Sequence, residues 1–318
     1  MEQQEKTLIV IAGPTGVGKT ATAIELAEEL GAEIISADSR QVFREIPIGT
    51  AAPTAEEQAR VRHHFVGTKS IADYYSAAEF ETDVLRLLPN LFASNDYAVM
   101  CGGSMLYVDA VCKGIDQMPT IGTDVREKVL RQYRECGIEC IVAQLELLDP
   151  DYLRIVDVRN EKRLLHALEI CLQAGVPYSS LRTGQVKPRP FAIVKFGLDM
   201  EREQLFSRIN RRVDAMIEAG LVDEARSTYE LRHLNSLNTV GFKEMHAWMN
   251  GEMDFDTARE RIKKNTRVYA KRQLTWYRKD PEMTWLHPCG AVQAIIARLK
   301  KQAQKNMGLN RPNVGEFL

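Results

Sequence analysis

The stretch AGPTGVGKT, residues 12–20, decides the fold. Its last eight residues match G-x-x-x-x-G-K-[ST], and they stand where that pattern has mechanical meaning, between a buried strand and a helix. Upstream, TLIVIAG (7–13) is a continuous apolar run, as expected of a strand covered on both faces. Downstream, KTATAIELAEEL repeats apolar residues at helical spacing and stops at Gly31, a suitable residue just past a helix end. Gly13, Pro14, Thr15, Gly16, Val17 and Gly18 then form a turn whose N–H groups can curl around phosphate oxygens, with the positive end of the helix behind them. Lys19 adds a point charge for the terminal phosphate, and the Thr20 hydroxyl a ligand for Mg²⁺. Taken alone, the loop suggests a nucleotide such as ATP, and one reading is a P-loop kinase of a nucleotide or small metabolite.

Outward from the loop, strands and helices alternate. AEIISAD (32–38) reads as a second strand ending in an acid. YSAAEFETDVLRLLPNLF (75–92) reads as a helix, with Ser76 and Glu79 spaced as a capping box. DYAVMCGGS gives another buried strand running into glycines, and MLYVDAVCKG a helix closing at Gly114. The expected class is α/β, a P-loop-type parallel sheet with flanking helices. After Gly114 the rhythm changes. Residues 116–190 show helical patterns at 124–136, 138–147 and 160–174, and so read as a helical insertion domain. The core then comprises 1–115 and 191–318: FAIVKFGLDM (191–200) returns to a strand, followed by helices at 201–219, 221–233, after Gly241, and at 255–278. The last residues, 306–318, read as a loose tail.

Composition excludes several classes. The 318 residues are 45% hydrophobic and 27% charged with formal net charge -1, so a polyanionic partner must be met by a local basic patch. Six cysteines without a CxxC pair point to neither a disulfide framework nor a zinc site, and Cys136 and Cys140 read as structural thiols. His63 and His64 lack metal-ligand spacing to other ligands and read as packed or surface residues. Met100 and Met105, flanking CGGS, read as packing residues. No apolar run reaches the roughly 18 residues of a membrane span, and MEQQEKTLIVIAG is no secretory signal, so a cytoplasmic setting is expected.

Two further features carry chemistry. An NTPase needs an acid at the end of a later strand, yet YAVM runs into Cys101, Gly102 and Gly103. The acid comes earlier, as Asp38 after EIISA. Asp38 either faces the phosphates as metal ligand or base, or forms a turn by bonding its own backbone. The second feature is RERIKKNTRVYAKRQLTWYRK (259–279), with nine Lys/Arg and one acid. Helical spacing turns Lys263, Arg267, Lys271 and Arg278 around a shared direction, and Trp276 and Tyr277 are interleaved as planes that could stack on bases.

GPTGVGKT (13–20), DSRQVF (38–43), PIGTAAP (47–53), YSAAEF (75–80), GGSMLYVDAV (102–111), LNTVGFKE (237–244) and NTRVYAKRQLTWYRK (265–279) together resemble the tRNA dimethylallyltransferases over residues 8 to about 286. The resemblance implies transfer of a dimethylallyl group from its diphosphate to N6 of an adenosine next to the anticodon (tRNA position 37). In that reading residues 13–20 with Arg208 and Arg212 grip the donor's diphosphate, aided by Mg²⁺ on Thr20. Asp38 is the general base, and Ser104, Lys19 and Thr20 complete the catalytic set. The implied tRNA contacts are Asp38, Ser39, Arg40, Gln41, Ser104, Lys243, Lys271, Arg272 and Arg278, with Arg126, Lys162, Arg163 and His166 on the insertion. The insertion is expected to cover the tRNA from one side and the basic helix to approach from the other. Two positions depart from the family pattern: Ser104 replaces a usual Thr, and KRLLH (162–166) replaces a pattern close to QRxxR, with His166 at the second Arg. No zinc-finger extension is seen, so a compact bacterial form acting as a monomer is expected.

Overall fold

The computed structural model describes residues 5–309. Six strands form one parallel sheet: β1 (Thr7–Ala12), β2 (Ile34–Ser36), β3 (His63–His64), β4 (Tyr97–Gly102), β5 (Ala192–Leu198) and β6 (Thr284–Leu286), in the order β3-β2-β4-β1-β5-β6. β1 is central and buried along its whole length, with α1 (Lys19–Leu30) against one face of the sheet and α3 (Ala77–Ser94) and α4 (Met105–Lys113) against the other, while α2 (Ala55–Arg60) buries none of its own residues. Its side chains alternate between two cores. Ile9 and Ile11 pack with Ile24 and Leu26 of α1 and with Ile295, whereas Leu8 and Val10 pack with Phe80, Val84 and Val111 of α3 and α4. The capping box expected for α3 is present: the Glu79 amide donates to Ser76 Oγ, and the Ser76 amide to Glu79 Oε2.

Lys113–Pro188 is a compact unit of its own, built of α5 (Thr123–Leu148), α6 (Pro150–Leu153), α7 (Glu161–Ala174) and α8 (Tyr178–Leu181). Val129, Ile141 and Leu145 of α5 and Leu164, Ala167 and Leu168 of α7 make its core. α5 is broken at Gly137, whose φ of 77° lies outside helical space, which is where the sequence separated 124–136 from 138–147.

After β5 come α9 (Arg202–Glu218), α10 (Leu221–Ser227), α11 (Phe242–Met249), α12 (Phe255–Tyr277) and α13 (Ala291–Leu309). The helix expected over 221–233 is shorter: the Thr228 hydroxyl turns back onto the carbonyls of Glu224 and Ala225, and two 3₁₀ turns follow. The expected loose tail is helical as far as Leu309, and residues 310–318 lie outside the described residues. β3, β6 and α2 were not expected; two or three residues of strand leave no periodicity to read.

Candidate active site

β1 delivers the chain at Ala12 into the glycine loop, and α1 begins at Lys19. The Val17 amide closes a turn onto the Pro14 carbonyl, while the amides of Gly16, Gly18, Lys19 and Thr20 make no hydrogen bond among the described residues. Four donors left open around one turn are what a phosphate needs. Lys19 Nζ donates to the Pro14 carbonyl at 2.9 Å, and burial pulls its pKa down to about 8. α9 supplies two arginines. Arg212 donates to Thr15 Oγ1 and to the Ala51 carbonyl, both at 3.4 Å. Arg208 Nη2 passes 3.3 Å from where a side chain on residue 18 would begin, so Gly18 makes room for it.

Beside the loop, the ends of β2 and β4 are locked together. The Ala37 amide donates to the Cys101 carbonyl at 2.8 Å and the Ser104 amide to the Ala37 carbonyl at 3.2 Å. A Cβ on Gly102 would stand 2.1 Å from the Ala37 oxygen, so only glycine allows that approach. The lock brings Asp38 and Ser104 to neighbouring strand tips. Asp38 Oδ1 accepts from the amides of Arg40 (2.9 Å) and Gln41 (3.3 Å), and Oδ2 makes no hydrogen bond among the described residues. The turn reading of Asp38 therefore holds through Oδ1, and Oδ2 is left over at the strand tip. Ser104 Oγ accepts from the Ser39 amide at 2.8 Å and donates to Ser39 Oγ at 3.1 Å. The field of Asp38 reaches both Lys19 and Arg212, so loop and turn share one site. Gln41 is occupied elsewhere: its carboxamide accepts from Ser36 Oγ and donates to the carbonyls of Thr50 and Ala51.

A sequence model described as IPP transferase matches residues 41–280. The chain belongs to the IPP transferase family. Among its relatives, tRNA dimethylallyltransferase 2 of Porphyromonas gingivalis is 55% identical over 288 residues, covering 91% of this chain and 96% of the relative. tRNA dimethylallyltransferase 1 of Bacteroides thetaiotaomicron is 53% identical over 282 residues, covering 89% and 92%. The crystal structure of a tRNA isopentenylpyrophosphate transferase from Bacillus halodurans matches with a TM-score of 0.70 and 34% identity over 96% of this chain and 99% of that one. A eukaryotic dimethylallyltransferase, captured acting on tRNA, matches with a TM-score of 0.76 and 26% identity over 98% and 81%. These relationships do not favour the kinase reading of the loop.

In this IPP transferase the basic helix differs from its sequence reading. Lys263 does not face solvent; it is 7% exposed and sits between Asp214 of α9 and Glu260, at 3.0 Å from each. Arg267 turns to Asn210 and over the Phe206 ring, again on α9. Helical spacing aligned these two with Lys271 and Arg278, but the part of that direction nearer the N-terminus is filled by α9. Lys271 and Arg272 are exposed, as is Lys243 on α11, and Arg278 pairs with Asp199 at 2.7 Å. Tyr277 cannot stack on a base, because it is 2% exposed within the core formed with α4. Trp276 remains accessible, its indole N–H donating to Asp109 at 2.8 Å.

Two residues of α12 that the sequence left unremarked do reach the site. Tyr269 lies against Ser104 and near Asp38 and Arg40, and burial of its hydroxyl pushes it up to about 12. Gln273, 1% exposed, accepts from the Thr15 amide and donates to the Gly103 carbonyl, each at 2.8 Å. Inside a run of cations, neither residue carries a signal that separates it from a helix surface.

On the insertion, Arg126 Nε stands 3.6 Å from Glu169 Oε1 and His166 Nδ1 3.7 Å from Glu169 Oε2, so one buried carboxylate holds both. Lys162 and Arg163 are exposed in the first turn of α7, which Asn160 caps. Cys136 is exposed and Cys140 half-buried, on either side of the break at Gly137. His64 pairs with Glu33 at 2.6 Å, and His63 Nδ1 lies 2.8 Å from the Val61 carbonyl. Met100 is fully buried and Met105 packs beside it. Among the described residues no group of three or more His, Cys, Asp or Glu could hold a metal, and no helix is long and apolar enough to cross a membrane.

Proposed function

We infer that this chain transfers the dimethylallyl group of dimethylallyl diphosphate to N6 of the adenosine next to the anticodon of tRNA. The observation that carries this reading is the pairing of an open phosphate loop with a carboxylate that has one uncommitted oxygen, Asp38 Oδ2, at the neighbouring strand tip. The adenosine N6 lone pair forms a bond to the allylic carbon as that carbon's bond to the diphosphate oxygen breaks. The bonding electrons leave with the diphosphate, and the N6 proton passes to Asp38. Because Asp38 Oδ1 is tied to two backbone amides, the carboxylate enters this step already oriented. Ser104, whose hydroxyl is bonded to the Ser39 amide and hydroxyl, fixes the turn that carries Asp38.

The heavier demand is charge on the departing diphosphate. Lys19, Arg208, Arg212 and the open loop amides suit it, as donors and cations already in place around the loop. The Thr20 hydroxyl makes no protein hydrogen bond among the described residues. With no metal-holding cluster nearby, that suits a hard cation which keeps its waters and binds chiefly through phosphate. Bound there through Thr20, Mg²⁺ would neutralise charge on the leaving group. For the acceptor, the exposed Lys243, Lys271 and Arg272 of the core, and separately Arg126, Lys162, Arg163 and His166 of the insertion, are each suited to an RNA backbone. A monomer acting in the cytoplasm, where its RNA would be met, belongs to the same reading.

Mass spectrometry of tRNA nucleosides after incubation with dimethylallyl diphosphate tests the reading, and a prenylated adenosine is expected. Asp38→Ala should lower single-turnover transfer by about 10²–10⁴-fold while tRNA affinity persists. ADP formed from ATP with no prenylated nucleoside would overturn the reading.

A further inference from the structure

Gln273 is the most enclosed polar residue of α12, and its carboxamide is fully assigned by its partners. The oxygen faces an amide N–H, that of Thr15, and the nitrogen faces a carbonyl, that of Gly103, both at 2.8 Å. The first bond spans 258 residues of sequence and the second 170, so one side chain joins three separate segments: the phosphate loop, the turn leading to Ser104, and the helix. The joint is tight. A Cβ on Gly103 would lie 2.3 Å from Gln273 Nε2 and 3.5 Å from Lys19 Nζ. The Thr15 amide is thus committed to the protein, whereas the amides of Gly16, Gly18, Lys19 and Thr20 stay open. Gln273 holds the rim of the loop without competing for its donors.

The same helix carries Tyr269 against Ser104 one turn earlier and exposes Lys271 and Arg272 immediately before Gln273. We propose that Gln273 is a positioning residue that couples the two substrates, transmitting the seat of α12 to both the phosphate loop and the Ser104 turn. RNA that pulls on Lys271 and Arg272 bears directly on the next residue, and through it on Thr15 and Gly103. By thermodynamic linkage, a donor seated in the loop strengthens RNA binding by the same factor. The proposal rests on the reading that RNA is received on α12 and the diphosphate in the loop.

The test uses an anticodon stem-loop carrying purine riboside, which lacks the N6 amine, at the acceptor position, so that both ligands bind without reacting. In the wild-type protein, calorimetry should show dimethylallyl diphosphate binding at least about fivefold more tightly in the presence of this RNA, the lower end of ordinary coupling between sites. Gln273→Met keeps a long side chain but neither hydrogen bond. In it the coupling factor should fall towards one, with RNA affinity alone within about twofold of wild type, since Lys271 and Arg272 are intact. Gly103→Ala should give the same loss from the other side of the joint. Should both variants fail to fold, hydrogen exchange on the wild-type protein decides. RNA alone should slow exchange of the loop amides at residues 15–18, and indifference of those amides to RNA overturns the proposal. Absence of coupling in the wild type, or undiminished coupling in Gln273→Met, also overturns it. A wild-type protein that prenylates adenosine yet shows no coupling sinks this proposal alone; one that neither binds RNA nor prenylates it sinks the functional reading.

Discussion

The strand tips and the insertion both gather charged side chains, but they fix them by different means. At the strand tips, backbone does the fixing: Asp38 is held by two amides, Ser104 by the Ser39 amide, and the two segments by the contact of Gly102 on Ala37. On the insertion, side chains fix one another, Arg126 and His166 through Glu169, at 3.6 and 3.7 Å. Backbone geometry is shared with the fold and cannot relax locally, whereas a half-exposed cation at such distances from its carboxylate can swing away into water. The first arrangement suits bond-making, where small displacements matter. The second suits adjustment to a large, charged and deformable partner.

The contrast can be broken most severely at Gly102. In Gly102→Ala the added carbon meets backbone atoms of Ala37 at 2.1 and 2.4 Å, and neither can rotate away. We expect the tips carrying Asp38 and Ser104 to part, with a stability loss of at least about 1–3 kcal/mol and transfer activity down by about 100-fold or more. Gly175→Ala in the insertion is the matched control. Residue 175 has a φ of 69° but nothing within 4 Å, so it meets only backbone strain of about 1 kcal/mol. Thermal melts and single-turnover rates on both variants compare a clash with a strain. Equal effects would mean that the strand tips are no more tightly built than the insertion.

A second and smaller effect comes from Lys19, a cation that burial perturbs. Lys19 has its pKa lowered to about 8, so its positive charge is complete below that pH and lost as pH rises through it. At saturating RNA, kcat/KM for dimethylallyl diphosphate should therefore break near pH 8 and fall about tenfold per unit above it. Lys19→Arg, whose guanidinium stays charged, should lower the plateau but remove the break. A profile flat to about pH 10 in the wild type would contradict the assignment of Lys19 as the charge that receives the diphosphate.

How much of this was legible in the sequence follows the same division. The strand–loop–helix unit, the capping box on α3 and the break at Gly137 rest on local rules acting within a few residues, and they could be read directly. The site roles proposed for Asp38 and Ser104 rest on a family resemblance, because a strand-end acid looks the same whether it caps a turn or faces a ligand. Lys263 and Arg267 show the limit from the other side. Helical spacing gave their direction, but what lies in that direction is Asp214 and Asn210 of another helix, and no periodicity within α12 reveals them. Tyr277 was misread for the same reason, and Gln273 passed unnoticed because its partner Thr15 is 258 residues away. Local conformation is written in the chain's own neighbourhood. Burial of a polar residue is written in two places at once.

The smallest effect is expected where side chains alone hold a cation. Arg126 keeps about half of its side chain in solvent (51%) and meets Glu169 at 3.6 Å, so Arg126→Ala removes a loose pair and leaves the apolar core of Val129, Leu145 and Leu168 in place. The melting temperature should hardly move. If Arg126 meets a phosphate, RNA affinity should drop by about tenfold or less, and the plot of log K against log salt should flatten by about 0.7–0.9, one released counterion. Glu169→Gln separates the two functions of the pair. It keeps the shape of the buried side chain and removes the negative charge beside Arg126 and His166, so the full set of counterions is still released but the Arg126 guanidinium loses its anchor. A flatter salt slope in Arg126→Ala, with the wild-type slope retained in Glu169→Gln, would mark Arg126 as a phosphate contact and Glu169 as its holder. An unchanged slope in Arg126→Ala would reduce the pair to surface charge and confine RNA recognition on the insertion to Lys162, Arg163 and His166.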